Sequence, residues 1–192
     1  MKEIDYQYVA VPLLEGKQRA EEYTLKNPSQ VVPTLEIDGH TMGQSVSIME
    51  YLEETRTNQG THLLPSDPFK RQQVRQIVQI IAADTQPIQN LKVMKKIKED
   101  FNTDEQAKTN WAKYWIEAGF VALEKVLEKT SGKYCVGDEV SMDDCCLVPQ
   151  VYNAKRFGVD MTRFPIITRI DETCATLPVF QKAHPDQQID KM

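Results

Sequence analysis

At 192 residues, 41% apolar and 27% charged, the chain has the make-up of an ordinary folded protein and can bury a sizeable core as one large or two small domains. Its net charge of -5 is uneven: residues 1–59 hold five Lys and Arg against ten Asp and Glu, and the rest hold eighteen of each. The acidic first third argues against a nucleic-acid surface, the opening Met-Lys-Glu-Ile-Asp lacks the apolar stretch of a secretory signal, and no run reaches the ~18 apolar residues of a membrane span, so a cytoplasmic address is expected.

Taken in order, Ile4 to Val11 is rich in Tyr and Val and ends at Pro12, which predicts a strand. Gly16 to Lys26 predicts a short, weakly amphipathic helix stopped by Asn27-Pro28. Val32-Pro33 precedes a strand with Thr34, Leu35, Glu36 and Ile37 alternating, and Asp38-Gly39 is a strong hairpin signal. Ser45 stands where a helix N-cap belongs, ahead of Ile48, Met49 and Leu52, in a helix running to about Thr55. Strand, hairpin and helix N-terminus thus converge on one patch of exposed backbone suited to a short peptide-like anion.

Arg56 to Leu64 is a polar connector, and a domain boundary is placed there, with a small α/β domain over 1–60 and an all-α domain over 65–192. Leu64-Pro65-Ser66-Asp67-Pro68 restarts the chain with an N-cap and a proline, and Val74, Ile77, Val78 and Ile81 follow at helical spacing. Pro87 is expected to kink this helix before Ile88, Leu91 and Met94 continue an apolar stripe beside solvated lysines. Thr103 with Gln106 forms a capping box for a helix with two apolar sides, Trp111, Trp115, Ala118 and Ala122 on one and Phe120, Leu123 and Leu127 on the other. A second box, Ser141 with Asp144, opens an apolar central helix through Cys145-Cys146-Leu147-Val148 that stops at Phe157-Gly158. Phe164-Pro165 and Leu177-Pro178 begin two more helices.

Cys135, Cys145, Cys146 and Cys174 show no C-x-x-C spacing, so neither a metal site nor a redox motif is indicated, and buried packing is their expected role. Adjacent Cys145 and Cys146 are splayed by about 100° on a helix, which opposes a disulfide. His40, His62 and His184 have no visible nucleophile partner.

Joined in this order, the blocks from Asn27-Pro28 to Ser45 and the Gly137-Asp138…Ser141…Asp144 box resemble a cytosolic glutathione transferase. Tyr51-Leu52-Glu53-Glu54-Thr55-Arg56, Leu63-Leu64-Pro65, Gln86-Pro87-Ile88-Gln89-Asn90-Leu91, Tyr134 to Val140 and Leu147 to Val151 narrow the resemblance to the zeta class, the maleylacetoacetate isomerases. It covers essentially Ile4 to His184 and implies a thioredoxin-like domain followed by a helical domain, a glutathione-dependent cis-trans isomerase of phenylalanine and tyrosine catabolism with possible transferase activity, glutathione as cofactor and a homodimer.

By the same resemblance, Pro33 is a cis proline that leaves the Val32 backbone to pair with the cysteinyl unit of glutathione. Gln44 and Ser45 hold its γ-glutamyl end, Gln18 its glycyl end, and Gln86, Asn90 and Leu91 close over the ligand from the helical domain. Lys92 falls where the family more often has Ser and is given no polar contact. Without the resemblance, Ser45 reads as a plain N-cap and Gln86 and Asn90 as solvent-facing. The family's thiol-activating Ser-Ser-Cys-x-x-Arg segment, carried between a first strand and a first helix, has no counterpart in the sequence. The expectation is therefore an incomplete thioredoxin-like domain, no catalytic residue of its own and impaired turnover; the alternative is a noncatalytic glutathione-transferase-like binding protein.

Overall fold

The computed structural model describes residues 1–190. They form two compact units: residues 1–62 with the last stretch of chain from Gln181, and Leu63–Phe180. That last stretch, read from sequence as the end of the helical domain, belongs instead with the first unit, where Tyr8 Oη donates to Asp190 Oδ1 at 2.8 Å.

In the first unit, β1 (Thr34–Ile37) and β2 (His40–Gly43) pair antiparallel with Thr34 opposite Gly43 and Ile37 opposite His40. Asp38 and Gly39 turn the hairpin with φ of 53° and 76°, the left-handed pair whose twist matches the strands. The Asp38 carboxylate accepts from Arg56 Nη2 and Tyr51 Oη, each at 2.7 Å, and the Arg56 contact leads in holding its pKa below the usual range. The turn is thereby anchored to the end of α2 (Ser45–Thr55). The single helix expected over Gly16 to Lys26 is split by extended Ala20 into a 3₁₀ turn, Lys17–Arg19, and α1 (Glu21–Lys26).

The expected strand from Ile4 to Val11 does not form. Among the described residues the sheet is the β1–β2 hairpin, and this segment has no ladder neighbour. Tyr and Val supply a preference for extended backbone, but a strand is stabilised by its neighbours. The first residues are held otherwise: Lys2 Nζ lies 2.6 Å from Glu53 Oε2 in a buried pair, and Thr61 N–H donates to Met1 C=O.

The second unit is helical. Asp67 caps α3 (Pro68–Gln79) by accepting from Lys70 N–H, and Pro68 takes the first turn. Instead of a kinked helix across Pro87, the backbone widens into a π segment, Ile80–Thr85, tightens into a 3₁₀ turn, Gln86–Gln89, and breaks at extended Asn90. Proline's missing N–H and bulky ring explain why the regular ladder does not continue. The chain restarts as α4 (Leu91–Phe101), where Met94 is buried but Leu91 is 45% exposed, so the expected stripe is incomplete.

Asp104, not Thr103, caps α5 (Glu105–Thr130), accepting from Ala107 N–H at 2.7 Å. One side of α5 is core, with Ala112, Ile116, Phe120, Leu123 and Leu127 buried; Trp111, Ala118 and Ala122 on the other side are exposed, so the helix is not packed on both sides as expected. Glu124 is buried because its carboxylate accepts from Ile166 and Ile167 N–H at the start of α7 (Pro165–Ala175). There it satisfies donors that the helix itself cannot. The Ser141/Asp144 capping box opens α6 (Met142–Arg156), which packs between α3 and α7 and ends at left-handed Gly158. α8 (Pro178–Ala183) follows.

Candidate functional site

The end of the β1–β2 hairpin remote from its turn is built by a polar clasp. Asn27, 5% exposed, donates from Nδ2 to Val31 C=O at 2.8 Å and to Thr34 Oγ1 at 3.0 Å. Tyr23 Oη donates to the same carbonyl at 2.8 Å and lies 2.8 Å from Thr34 Oγ1. Ser29 N–H closes the loop on Asn27 Oδ1. A Cβ on Gly43 would sit 3.0 Å from Asn27 Nδ2, so a side chain opposite the clasp would crowd it. Sequence reasoning took Asn27 for a helix stop and gave Tyr23 no role; the signal was a polar residue at a turn whose neighbours carry unpaired backbone.

With its flanks held, Val32 stays free. It is 42% exposed, its N–H and carbonyl enter none of the hydrogen bonds that secure the neighbouring turn, and the Val32–Pro33 bond is cis. Because Thr34 faces Gly43, the two residues before β1 and the two after β2 lie at the same end of the hairpin. The register thus brings Val32 and Pro33 toward Gln44 and Ser45.

Gln44, not Ser45, is the N-cap of α2, at φ 68° and ψ 111°, and Ser45 is the first helical residue. No side chain caps this end; Ser47 Oγ donates backward to Gly43 C=O at 3.0 Å. Exposed Gln44 and Ser45 therefore surround an open helix N-terminus, whose unpaired N–H groups carry partial positive charge. Gln18 is 7% exposed in the 3₁₀ turn, and its Oε1 has no hydrogen-bond partner among the described residues.

In the second unit Gln86 is exposed, Asn90 half-buried and Leu91 exposed. Asn90 Oδ1 accepts from Lys92 N–H as the cap of α4, a use the sequence did not suggest.

The cysteines are poor nucleophiles. Burial pushes the Cys135 and Cys145 thiols well up and those of Cys146 and Cys174 to about 12, so none offers a thiolate near neutral pH. One grouping escapes spacing rules: ligand atoms of Cys135, Asp143 and Asp144 lie within 4.8 Å of one another, all buried. Asp144 accepts from Cys135 and Ser141 N–H, and Asp143 Oδ1 from Ser141 Oγ, while Asp143 Oδ2 has no partner among the described residues. Burial first, and the Asp144 charge next, push the Asp143 carboxyl up to about 7. Among the described residues no helix is long and apolar enough to cross a membrane.

Comparison with known proteins places the chain in a family. The family described as glutathione S-transferase, N-terminal domain, matches residues 1–60. The chain is 50% identical to a probable maleylacetoacetate isomerase 2 of Drosophila melanogaster, over 99% of this chain and 81% of that one. It is likewise 50% identical to the maleylacetoacetate isomerase of Mus musculus, over 99% and 85%. The fold superimposes with a TM-score of 0.95 on a holo maleyl pyruvate isomerase, a bacterial zeta-class glutathione S-transferase, at 37% identity over 100% of this chain and 90% of that one. It superimposes at 0.87 on the glutathione-bound maleylacetoacetate isomerase of Anaeromyxobacter dehalogenans, at 39% identity over 100% and 88%. These matches lend no support to the expected incompleteness of the first domain or to impaired turnover. The chain belongs to the zeta class of the glutathione transferases, the maleylacetoacetate isomerase family.

Proposed function

We propose that this chain catalyses the glutathione-dependent cis-trans isomerisation of maleylacetoacetate to fumarylacetoacetate, acting as a cytoplasmic homodimer in phenylalanine and tyrosine catabolism. The observation that carries the reading is the uncapped N-terminus of α2 beside the free backbone of Val32, a carboxylate site next to a peptide-pairing site.

Val32 would pair with the cysteinyl unit through its backbone, and Gln44 and Ser45 would take the γ-glutamyl carboxylate at the helix end. Gln18, with its unpartnered Oε1, would meet the glycyl end. Gln86, Asn90 and Leu91 are the ligand contacts proposed for the second unit. Glutathione bound there would supply a thiolate nucleophile for reversible addition to the conjugated double bond, the chemistry by which a cis alkene can return as trans. The chain's residues hold the tripeptide by its ends and backbone, and its cysteines stay protonated and take no part.

Purified protein is tested for glutathione binding by calorimetry and for maleylacetoacetate turnover. A contact of Ser45 with a carboxylate is worth about 1.5 to 3 kcal/mol, so Ser45→Ala is expected to raise the glutathione Kd roughly ten- to hundredfold. Wild-type protein that binds no glutathione overturns the reading; binding without turnover transfers it to a noncatalytic binding protein. Sedimentation at micromolar concentration decides the dimer.

A further inference from the structure

The turn from Thr85 to Leu91 is tied down from three sides within its own unit. Thr85 Oγ1 donates to Ile80 C=O at 2.7 Å across the π segment, and a Cβ on Gly119 of α5 would fall 2.1 Å from that hydroxyl. The helix can lie this close only because residue 119 has no side chain. Trp111 Nε1, also from α5, donates to Ile88 C=O at 3.1 Å. From α6, Gln150 Oε1 accepts from Gln89 Nε2 at 2.8 Å.

The third tie is chemically odd. Gln89 and Gln150 are 6% and 2% exposed, and Gln89 Oε1 and Gln150 Nε2 have no partner among the described residues. Two buried amides joined by a single bond leave an acceptor and a donor unsatisfied, a cost that two apolar side chains of similar volume would avoid. Stability alone therefore does not explain the pair. What an amide pair provides and an apolar contact does not is direction: one bond length and one angle at one point of the turn. That point is well placed. Gln89 faces inward while Gln86, three residues earlier, and Leu91, two later, face outward, and half-buried Asn90 lies between.

We propose that Gln150 is a positioning residue for the isomerisation: its bond to Gln89 fixes the turn that presents Gln86, Asn90 and Leu91 to the ligand. This rests on the assignment of those three residues as ligand contacts made above. Gln150 touches no ligand and acts through Gln89 alone, so the two glutamines form one device.

The test compares Gln150→Leu, Gln89→Leu and the double variant in the full chain, reading backbone amide exchange across residues 85–91, melting temperature, and KM for glutathione against kcat. Each single variant is expected to speed exchange across the turn roughly tenfold and raise KM for glutathione about three- to tenfold, with the double variant no worse than either single. A merely structural role would move the melting temperature and leave the KM of the folded protein unchanged. Should Gln150→Leu fail to fold, Gln150→Met keeps a similar volume without the amide acceptor and is expected to loosen the same turn. Wild-type exchange across the turn in these variants overturns the proposal. So does unchanged KM in Gln150→Leu when Gln86→Ala raises it, and the site assignment then stands. If wild type binds no glutathione, the site assignment falls and the positioning role of Gln150 in the reaction with it, while exchange still reports whether Gln150 holds the turn.

Discussion

The two units bury different chemistry. Among the described residues of the first, the buried side chains are Ile48 and four polar ones, Lys2, Gln18, Asn27 and Glu53; in the second they are chiefly apolar, with Val74, Ile77, Ile116, Leu123, Leu127, Leu147, Val151, Ile167 and Ile170 at 0% exposure. An apolar core is non-directional and scales with area, whereas buried polar groups stabilise only when their partners are in place. The second unit is therefore a scaffold in its own right. The first is a set of specific ties whose product is the shape of the Val31–Ser45 region.

Phe120→Ala should strike the scaffold hardest. Phe120 is 1% exposed and meets Phe164 edge-to-face at 5.5 Å, and emptying such a site costs about 3 to 5 kcal/mol, measurable in urea through Trp111 and Trp115, which lie on the same helix. Next is a buried carboxyl of the scaffold, Asp143. Its folded pKa is raised, so between about pH 4 and 7 the folded chain binds more proton than the unfolded chain, and stability falls as pH rises through that window. Asp143→Asn should flatten the decline and gain on the order of 3 kcal/mol at pH 8, read by denaturation at several pH values. A pH-independent wild type would show that the carboxyl is not held neutral.

Asn27→Ala tests the first unit. Losing its amide leaves Val31 C=O and Thr34 Oγ1 to Tyr23 alone, at a cost of about 1 to 3 kcal/mol. Amide exchange in residues 27–43 should quicken while the tryptophan-detected transition stays in place; a joint shift of both would dissolve the contrast between the units. The smallest stability effect is expected for exposed Ser45→Ala, within about 0.5 kcal/mol because Ser45 makes no cap bond, even as glutathione binding weakens.

Local signals carried most of the architecture. Asp38-Gly39, Asp67-Pro68, the Ser141/Asp144 box and Phe164-Pro165 each act within a few residues, and each lies where its pattern puts it. Failures came where distant partners decide. Ile4 to Val11 needed a neighbouring strand, the Trp111 side of α5 needed a packing partner, and the caps at Gln44 and Asp104 were settled by one residue of phase. The Asn27 clasp and the Gln89–Gln150 bond join groups 4 to 61 residues apart by hydrogen bonds that no periodicity encodes.

The bond from Tyr8 to Asp190 spans 182 positions of sequence. The first unit is thus assembled from two segments, with the helical unit, continuous from Leu63 to Phe180, as the insert between them. Tyr8 and Asp190 therefore meet at the entropic cost of closing a long loop, a cost that grows only slowly with its length.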